Sequence, residues 1–119
     1  MAGVAYLLVV ALLVLPSAVF ATQYFVGDDQ GWNSGVDYYA WVEGKTFHVG
    51  DSLVFNYNAG EHNVIVVGAN GYDQCLASPN SGAYYTGNDV LTFVAAGDFY
   101  FICEYHCDYS DQKVKVTVN

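Results

Sequence analysis

The sequence predicts an all-β fold, a Greek-key β-sandwich or barrel of about seven short strands. Runs rich in Val, Ile, Phe, Tyr and Thr recur along residues 23–118, and turn residues separate them. No long segment has the 3.6-residue periodicity of an amphipathic helix. Short strands joined by turns are typical of sandwiches and barrels, so helices are expected only as single turns.

Each predicted strand is a short apolar or alternating run between turn residues. In chain order the strands are 23–26, a weaker run at 46–49, then 52–57, 62–67, 89–94, 98–103 and 113–118. Strict alternation in the last strand predicts one buried face, whereas 98–103 is apolar on both faces and should be covered on both. Short helical turns are predicted at 36–41 and 71–75.

The first 21 residues form a separate unit. Residues 2–15 carry no charge, and Val19 and Ala21 are small enough for the −3 and −1 positions of a signal peptidase site. The sequence therefore predicts a signal peptide at 1–21, cleavage after Ala21 and a secreted domain at 22–119. The alternative is an uncleaved N-terminal anchor, for which the apolar run is shorter than the ~20 residues of a membrane span.

The charge balance excludes several classes of partner. Three Lys and no Arg stand against twelve Asp and Glu, which gives a net charge of −9. Nucleic acids and anionic membrane surfaces are bound through Lys and Arg, so neither is expected as a partner. A charged partner should be basic, and its association should depend on salt.

The three cysteines, Cys75, Cys103 and Cys107, leave one thiol unpaired. One disulfide is the usual supplement to the core of so small a secreted domain. On the residues alone, any two of the three cysteines can form it. Cys103 shares one side of its strand with Phe99 and Phe101, so its sulfur should be shielded from water and either neutral or bound to a metal.

A metal site is predicted from residues at the ends of different strands. His106 follows Cys103 by three positions, and His62 opens a strand that a Greek-key sandwich can bring to the same pole. One thiolate with two imidazoles is the donor set of a type 1 copper site, whose weak axial ligand is Met or Gln. Met1 is the only Met and leaves with the signal peptide, so Gln112 is the axial candidate.

Longer segments of the chain resemble plant phytocyanins. The matching segments are TQYFVGDDQGW at 22–32, YAW at 39–41, FHVGDSLVFNY at 47–57, HNV at 62–64, GDFYFIC at 97–103 and HC at 106–107. The resemblance implies a cupredoxin fold and an extracellular electron carrier, not an enzyme, with one copper ion held by His62, Cys103 and His106. It also implies a disulfide between Cys75 and Cys107, and it gives Asn63, the residue after the first ligand, the role of tying the two ligand loops together.

Two spacings depart from that family. Four residues usually separate the ligand Cys from the ligand His, but only Glu104 and Tyr105 do so here. Four usually separate that His from the axial residue, but five precede Gln112 here. By strict count Asp111 takes the axial position. We prefer Gln112, because Gln112-Lys113 keeps it in register with the last strand, and we keep Asp111 as its rival.

Two other functions are open. A phytocyanin-like cell-wall binding or structural module with an impaired or absent copper site is favoured by the shortened loop and opposed by the retained ligands. A thiol hydrolase using Cys103 is opposed by the burial of that sulfur, because a catalytic thiolate needs access to substrate. For the electron carrier, we expect a monomer that is secreted to the cell wall space and exchanges electrons with small redox molecules or a basic redox protein.

Overall fold

The fold consists of two β-sheets packed face to face, as a computed structural model of residues 20–119 shows. The three-stranded sheet has the order β1 (Gln23–Phe25), β2 (Ser52–Asn56), β5 (Asn88–Thr92), and the four-stranded sheet has the order β4 (Gly82–Tyr84), β3 (Val64–Val67), β6 (Gly97–Ile102), β7 (Lys113–Val118). β1 and β2 pair in parallel, and the other neighbours pair antiparallel. The predicted all-β sandwich is confirmed. The predicted signal peptide lies outside the described residues, except for Phe20 and Ala21.

Short helices fill the connections. They are a 3₁₀ turn (Asp28–Gln30), α1 (Tyr38–Val42), α2 (Ala69–Gln74) and α3 (Cys107–Ser110). The Asp37 carboxylate caps α1 by accepting a hydrogen bond from the Ala40 N–H at 3.0 Å. Within residues 20–119, none of these helices has the length and apolar character that crossing a membrane requires.

The core lies mainly between the two sheets. It contains aromatic side chains from both layers, among them Trp32, Phe55 and Phe101, and the inward-facing valines of β7. The rings of Phe55 and Phe101 lie 5.4 Å apart between centroids, which joins the sheets through their side chains. A smaller cluster on the outer face of the four-stranded sheet contains Ile65, Val67, Ile102 and Cys107.

Three local features of the structure differ from what the sequence predicts. The run at 46–49 forms only an isolated bridge between Phe47 and Val118. β4 was not predicted, because Gly-Ala-Tyr has little intrinsic strand preference and becomes a strand only by pairing with β3. α3 was not predicted either, because four residues are too few to show a helical period. The predicted cover on both faces of 98–103 is confirmed, since Phe101 belongs to the inner cluster and Ile102 to the outer one.

The sheet topology gathers the candidate ligands at one end of the sandwich. Ile65 of β3 pairs with Ile102 of β6, and Ile102 pairs with Lys113 of β7. The beginning of β3, the end of β6 and the beginning of β7 therefore lie side by side. His62 precedes β3, Cys103 follows β6 and Gln112 precedes β7, so antiparallel pairing alone brings these three positions together.

Candidate metal centre

Cys103 places a single sulfur atom in the interior at the end of β6. The residue is 0% exposed, it is the free cysteine of the described chain, and it packs in the inter-sheet cluster with Phe101. Its N–H donates a hydrogen bond to the carbonyl oxygen of Gln112 at 3.0 Å, which ties the end of β6 to the start of β7. The predicted shielding of this sulfur is confirmed, and a thiol so enclosed has no access to a substrate.

Two imidazoles face that sulfur. The Sγ atom of Cys103 lies 3.5 Å from Nδ1 of His106 and 3.9 Å from Nδ1 of His62, and the two Nδ1 atoms lie 3.1 Å apart. His62 is 5% exposed, whereas His106 is half-buried. Three ligand atoms from two distant segments thus converge on one point, with one imidazole closer to the surface than the other.

This triangle of atoms has the size that one metal ion requires. Its sides are 3.1, 3.5 and 3.9 Å. Ligand bonds of about 2.0–2.3 Å to an ion in the plane of the triangle would set the atoms about 3.5–3.8 Å apart. A soft thiolate with two imidazoles is a donor set that suits copper. The dimensions and the chemistry of the residues present therefore fit a single copper ion.

The environment of His62 keeps its imidazole in the neutral, metal-binding form. Burial lowers the pKa of His62 from its usual value, and repulsion from His106 lowers it further, while the Glu61 carboxylate acts in the opposite direction. A neutral imidazole is the form that coordinates a metal. The lowered pKa therefore favours ligation rather than a surface role for this histidine.

Asn63 joins the two ligand-bearing segments. Its Nδ2 donates to Oε1 of Glu104 at 2.7 Å, and its Oδ1 accepts a hydrogen bond from the Glu104 N–H at 3.0 Å. The carbonyl oxygen of Asn63 accepts a further bond from Nε1 of Trp32 at 2.8 Å. Asn63 follows His62 directly and Glu104 follows Cys103 directly, so this reciprocal pair fixes the spacing of the two ligands.

The roles of Glu104 and Trp32 in this arrangement were not anticipated from the sequence. The residues joined by the bonds lie 41 and 31 positions apart along the chain. No local pattern marks such partners, because side chains from distant segments meet only when the sheets have formed.

Gln112 and Asp111 have opposite environments. Gln112 is 0% exposed, and neither polar atom of its side chain has a hydrogen-bond partner. Asp111 is exposed and takes a left-handed conformation with φ 52°. A buried amide without a partner is costly unless a ligand satisfies it. This orphaned amide makes Gln112 the stronger axial candidate of the two.

The short loop from Cys103 to His106 reaches the site because of how α3 begins. The N–H groups of His106 and Cys107 both donate to the carbonyl oxygen of Cys103, at 3.3 and 2.9 Å. α3 then takes up the longer segment that follows, and the left-handed Asp111 redirects the chain into β7. The two departures in spacing thus leave His106 facing the sulfur and Gln112 buried.

A disulfide links Cys75 to Cys107 and so leaves Cys103 free. The Cα atoms of the bridged residues lie 5.6 Å apart, within the ordinary range for a disulfide. This is the pairing that the resemblance implied, and it excludes the two pairings that would consume the Cys103 sulfur. Because Cys107 adjoins His106, the bridge also anchors the second imidazole to the segment after α2.

The surface around His106 is aromatic and acidic. Tyr105 is 52% exposed and Tyr109 is 78% exposed, with ring centroids 6.4 and 6.0 Å from that of His106. Glu104, in the loop before His106, and Asp108, in α3, are also exposed acidic residues. A partner that approaches His106 therefore meets tyrosine rings within a negatively charged border.

Known proteins resemble this chain in both sequence and fold. A family model described as a plastocyanin-like domain matches residues 32–112. A blue copper protein of Petunia hybrida is 48% identical over 99 residues, which cover 82% of this chain and 37% of that protein. Blue copper protein 1a of Medicago truncatula is 36% identical over 117 residues, which cover 97% of this chain and 73% of that protein. The chain therefore spans little more than a third of the length of the first relative.

Among solved structures, the basic blue copper protein of cucumber superposes with a TM-score of 0.74 at 36% identity. The superposition covers 82% of this chain and 99% of the cucumber protein.

Proposed function

The chain belongs to the plastocyanin-like, or phytocyanin, family, and from that premise we propose that it is a type 1 copper protein that carries single electrons outside the cell. One observation carries the proposal: a buried, unpaired sulfur, that of Cys103, lies 3.5 and 3.9 Å from two imidazole nitrogens. Buried polar groups are costly unless they are hydrogen-bonded or coordinate a metal, and one thiolate with two imidazoles is a donor set that suits copper.

Different residues of the chain have different proposed roles in holding the ion. His62, Cys103 and His106 are the proposed equatorial ligands, and the Gln112 amide is the proposed axial group. A bound copper ion would supply one-electron chemistry by alternating between Cu(II) and Cu(I). The Asn63–Glu104 pair and the Cys75–Cys107 bridge hold the ligand segments in place, so that the ligands need to move little between the two states.

His106 is the proposed point of electron exchange. It is half-buried while His62 is 5% exposed, so a partner can approach the His106 edge most closely. The exposed carboxylates of Glu104 and Asp108 favour a basic redox protein or a cationic small molecule. Exchange with such a partner is expected to slow as ionic strength rises.

Secretion is part of the same proposal. The uncharged run at 2–15 and the small residues Val19 and Ala21 support cleavage after Ala21 and export of residues 22–119 to the cell wall space. An extracellular location also agrees with the disulfide between Cys75 and Cys107, because disulfides persist in oxidising compartments.

The central test is a titration of the metal-free protein with Cu(II). We expect one equivalent to produce an intense blue absorption and a narrow parallel hyperfine splitting in the electron paramagnetic resonance spectrum. Cys103→Ser should abolish the colour. His48→Gln is the matched control, because His48 is the third histidine and its side chain is 61% exposed, away from the cluster. A colourless complex of the unaltered protein would contradict the proposal.

The alternative function, a phytocyanin-like module without redox copper, rested on the shortened loop between Cys103 and His106. The structure removes that support. The loop leaves Nδ1 of His106 3.5 Å from the sulfur. No observation in the described residues now favours a protein without copper over one that binds it.

A further inference from the structure

A buried carboxylate lies at the other end of the sandwich, far from the candidate ligands. Asp51 directly precedes β2 and is 3% exposed. Its Oδ2 accepts a hydrogen bond from the His48 N–H at 2.8 Å, and its Oδ1 accepts one from the Thr22 N–H at 2.8 Å. The two oxygens therefore bind two segments, the turn before β2 and the residue that leads into β1.

The charge on Asp51 is not balanced by the residues around it. Within the described part of the chain, no lysine lies within ion-pair distance of this carboxylate. The imidazole of His48 is the one group that could offset it, but its Nδ1 lies 3.8 Å away and its side chain is 61% exposed. Buried carboxylates are normally paired with a cation, because two neutral N–H donors compensate only part of the loss of hydration.

Within residues 20–119, hydrogen bonding to the sheet begins at Thr22. The carbonyl oxygen of Thr22 accepts a hydrogen bond from the Ser52 N–H at 2.9 Å, and β1 starts at the next residue. Phe20 is 85% exposed and Ala21 is also exposed. The N–H that Asp51 binds belongs to the peptide bond at which cleavage is predicted.

We propose that cleavage after Ala21 creates the missing cation: the new α-ammonium group of the exposed Thr22 forms a partly buried ion pair with Asp51 that locks β1 onto the sandwich. A signal peptidase adds water across the Ala21–Thr22 peptide bond, which leaves a carboxylate on Ala21 and an amine on Thr22. That amine takes up a proton near neutral pH. The inference rests on the proposed processing site and is independent of copper.

The ion pair makes maturation and stability interdependent. Before cleavage, the Thr22 nitrogen is an amide that donates one hydrogen bond without charge. After cleavage, it is a charged group with three donors at the same place, and attraction to a buried carboxylate is stronger than at the surface. The mature chain should therefore hold β1 against β2 more firmly than the precursor does.

The test uses the full chain expressed in a secreting eukaryotic host. Mass spectrometry of the secreted protein should find Thr22 at the N-terminus. A second chain carries one glycine inserted between Ala21 and Thr22, which moves the ammonium group by one residue but keeps the Thr22 amide. We expect the insertion to lower Tm by about 4–8 °C. The same insertion in an Asp51→Asn background should change Tm by far less.

A second measurement does not depend on the stability of the Asp51→Asn variant. In the unaltered mature protein, the pKa of the Thr22 α-amino group, followed by NMR, should lie above its ordinary range of about 7.7–8.0. The groups that face this amine are Asp51 and His48, and His48→Gln should leave the elevation in place.

The outcomes separate the two parts of the inference. A mature chain that begins at another residue refutes the processing step and with it the ion pair. A chain that begins at Thr22 but has an ordinary amine pKa, or loses equal stability from the insertion with and without Asp51, refutes the ion pair alone. In that case Asp51 serves only to close the turn from His48. Neither result alters the copper titration, which tests the metal centre separately.

Discussion

The two ends of the sandwich treat their buried polar groups in opposite ways. At the closed end, which we define as Thr22, residues 48–52, Thr92, Phe93 and Asn119, side chains and backbone pair with each other. Ser52 Oγ and Thr92 Oγ1 lie 2.7 Å apart, and the Phe93 N–H donates to the carbonyl oxygen of Asp51 at 2.9 Å. At the ligand end, which consists of His62, Cys103, His106 and Gln112, three ligand atoms contact chiefly one another and a buried amide has no partner.

This contrast distinguishes the closed end, whose polar groups stabilise the fold, from the ligand end, whose polar groups are available to a ligand. Buried polar groups are normally satisfied, because each unsatisfied group costs about 1–3 kcal/mol. The buried polar groups of the closed end have hydrogen-bond partners, whereas at the ligand end the Gln112 amide has none and accepts that cost where a ligand is to bind. This unpaired amide beside the ligand cluster therefore indicates the binding site more directly than any cavity does.

The largest expected effect comes from opening the covalent link that holds the ligand end. A double variant, Cys75→Ala with Cys107→Ala, should lower the free energy of unfolding of the metal-free protein by about 2–5 kcal/mol. The bridged residues are 32 positions apart, so the loss frees a long loop in the unfolded chain. Urea denaturation measures it. Cys103→Ala is the control, since it removes a buried sulfur without opening a loop, and equal losses from both would contradict the prediction.

The second largest effect is expected from removing the hydrogen bonds that link the two ligand-bearing segments. Asn63→Ala deletes both hydrogen bonds to Glu104 and should cost about 2–3 kcal/mol of metal-free stability. Copper affinity should fall about 10–100-fold, because the spacing of His62 and Cys103 is no longer fixed. The matched control is Asn58→Ala, whose side chain makes only an exposed bond to Glu61 at 3.2 Å. If Asn63→Ala weakens stability but leaves copper affinity unchanged, the tie has no role in the metal site.

Gln112→Leu should have an effect of opposite sign on stability. Leucine removes a buried amide without partners, so the metal-free protein should become more stable by about 1–2 kcal/mol. The copper form should change its electron paramagnetic resonance rhombicity, because the axial group is lost. Asp111→Asn tests Asp111 as the alternative axial ligand. Asparagine tolerates the left-handed conformation of that residue. A spectrum altered by Asp111→Asn and unaltered by Gln112→Leu would reverse the axial assignment.

The smallest effect should come from the closed end. Ser52→Ala breaks the bond between the Ser52 and Thr92 hydroxyls and should cost about 0.5–1.5 kcal/mol. Because Ser52 and the ligands lie at opposite ends of the sheets, copper affinity and the blue absorption should stay as in the unaltered protein. Parallel urea and copper titrations of this variant check both expectations. A change in the copper spectrum would show that the two ends are coupled.

Much of the fold could be predicted because strand patterns are local. Alternation in β7 and the doubly apolar run of β6 can be read from consecutive residues, and turn residues mark their limits. The burial of Cys103 also followed from its position on one side of a strand with Phe99 and Phe101. β4 could not be predicted in this way, because its three residues become a strand only through pairing with β3.

The candidate site also has features that local sequence predicts and features that depend on the tertiary structure. The types of ligand and the odd thiol were visible in the sequence, since metal chemistry depends on which donor atoms are present. The sequence favoured Gln112 over Asp111 but kept Asp111 as a rival, because the choice depends on how α3 and a left-handed residue shift the register by one position. Strand register decides which side chains point inward, so a single residue of displacement exchanges a buried amide for an exposed carboxylate.

The sequence by itself determined the all-β class and the presence of one unpaired thiol and two imidazoles suited to copper. Those features depend on composition and on neighbours along the chain. Tertiary structure alone decided that Asn63 meets Glu104, that Gln112 is buried without a partner, and that Asp51 meets Thr22, the residue that leads into β1. These are meetings of distant segments, and their geometry exists only after the two sheets have packed.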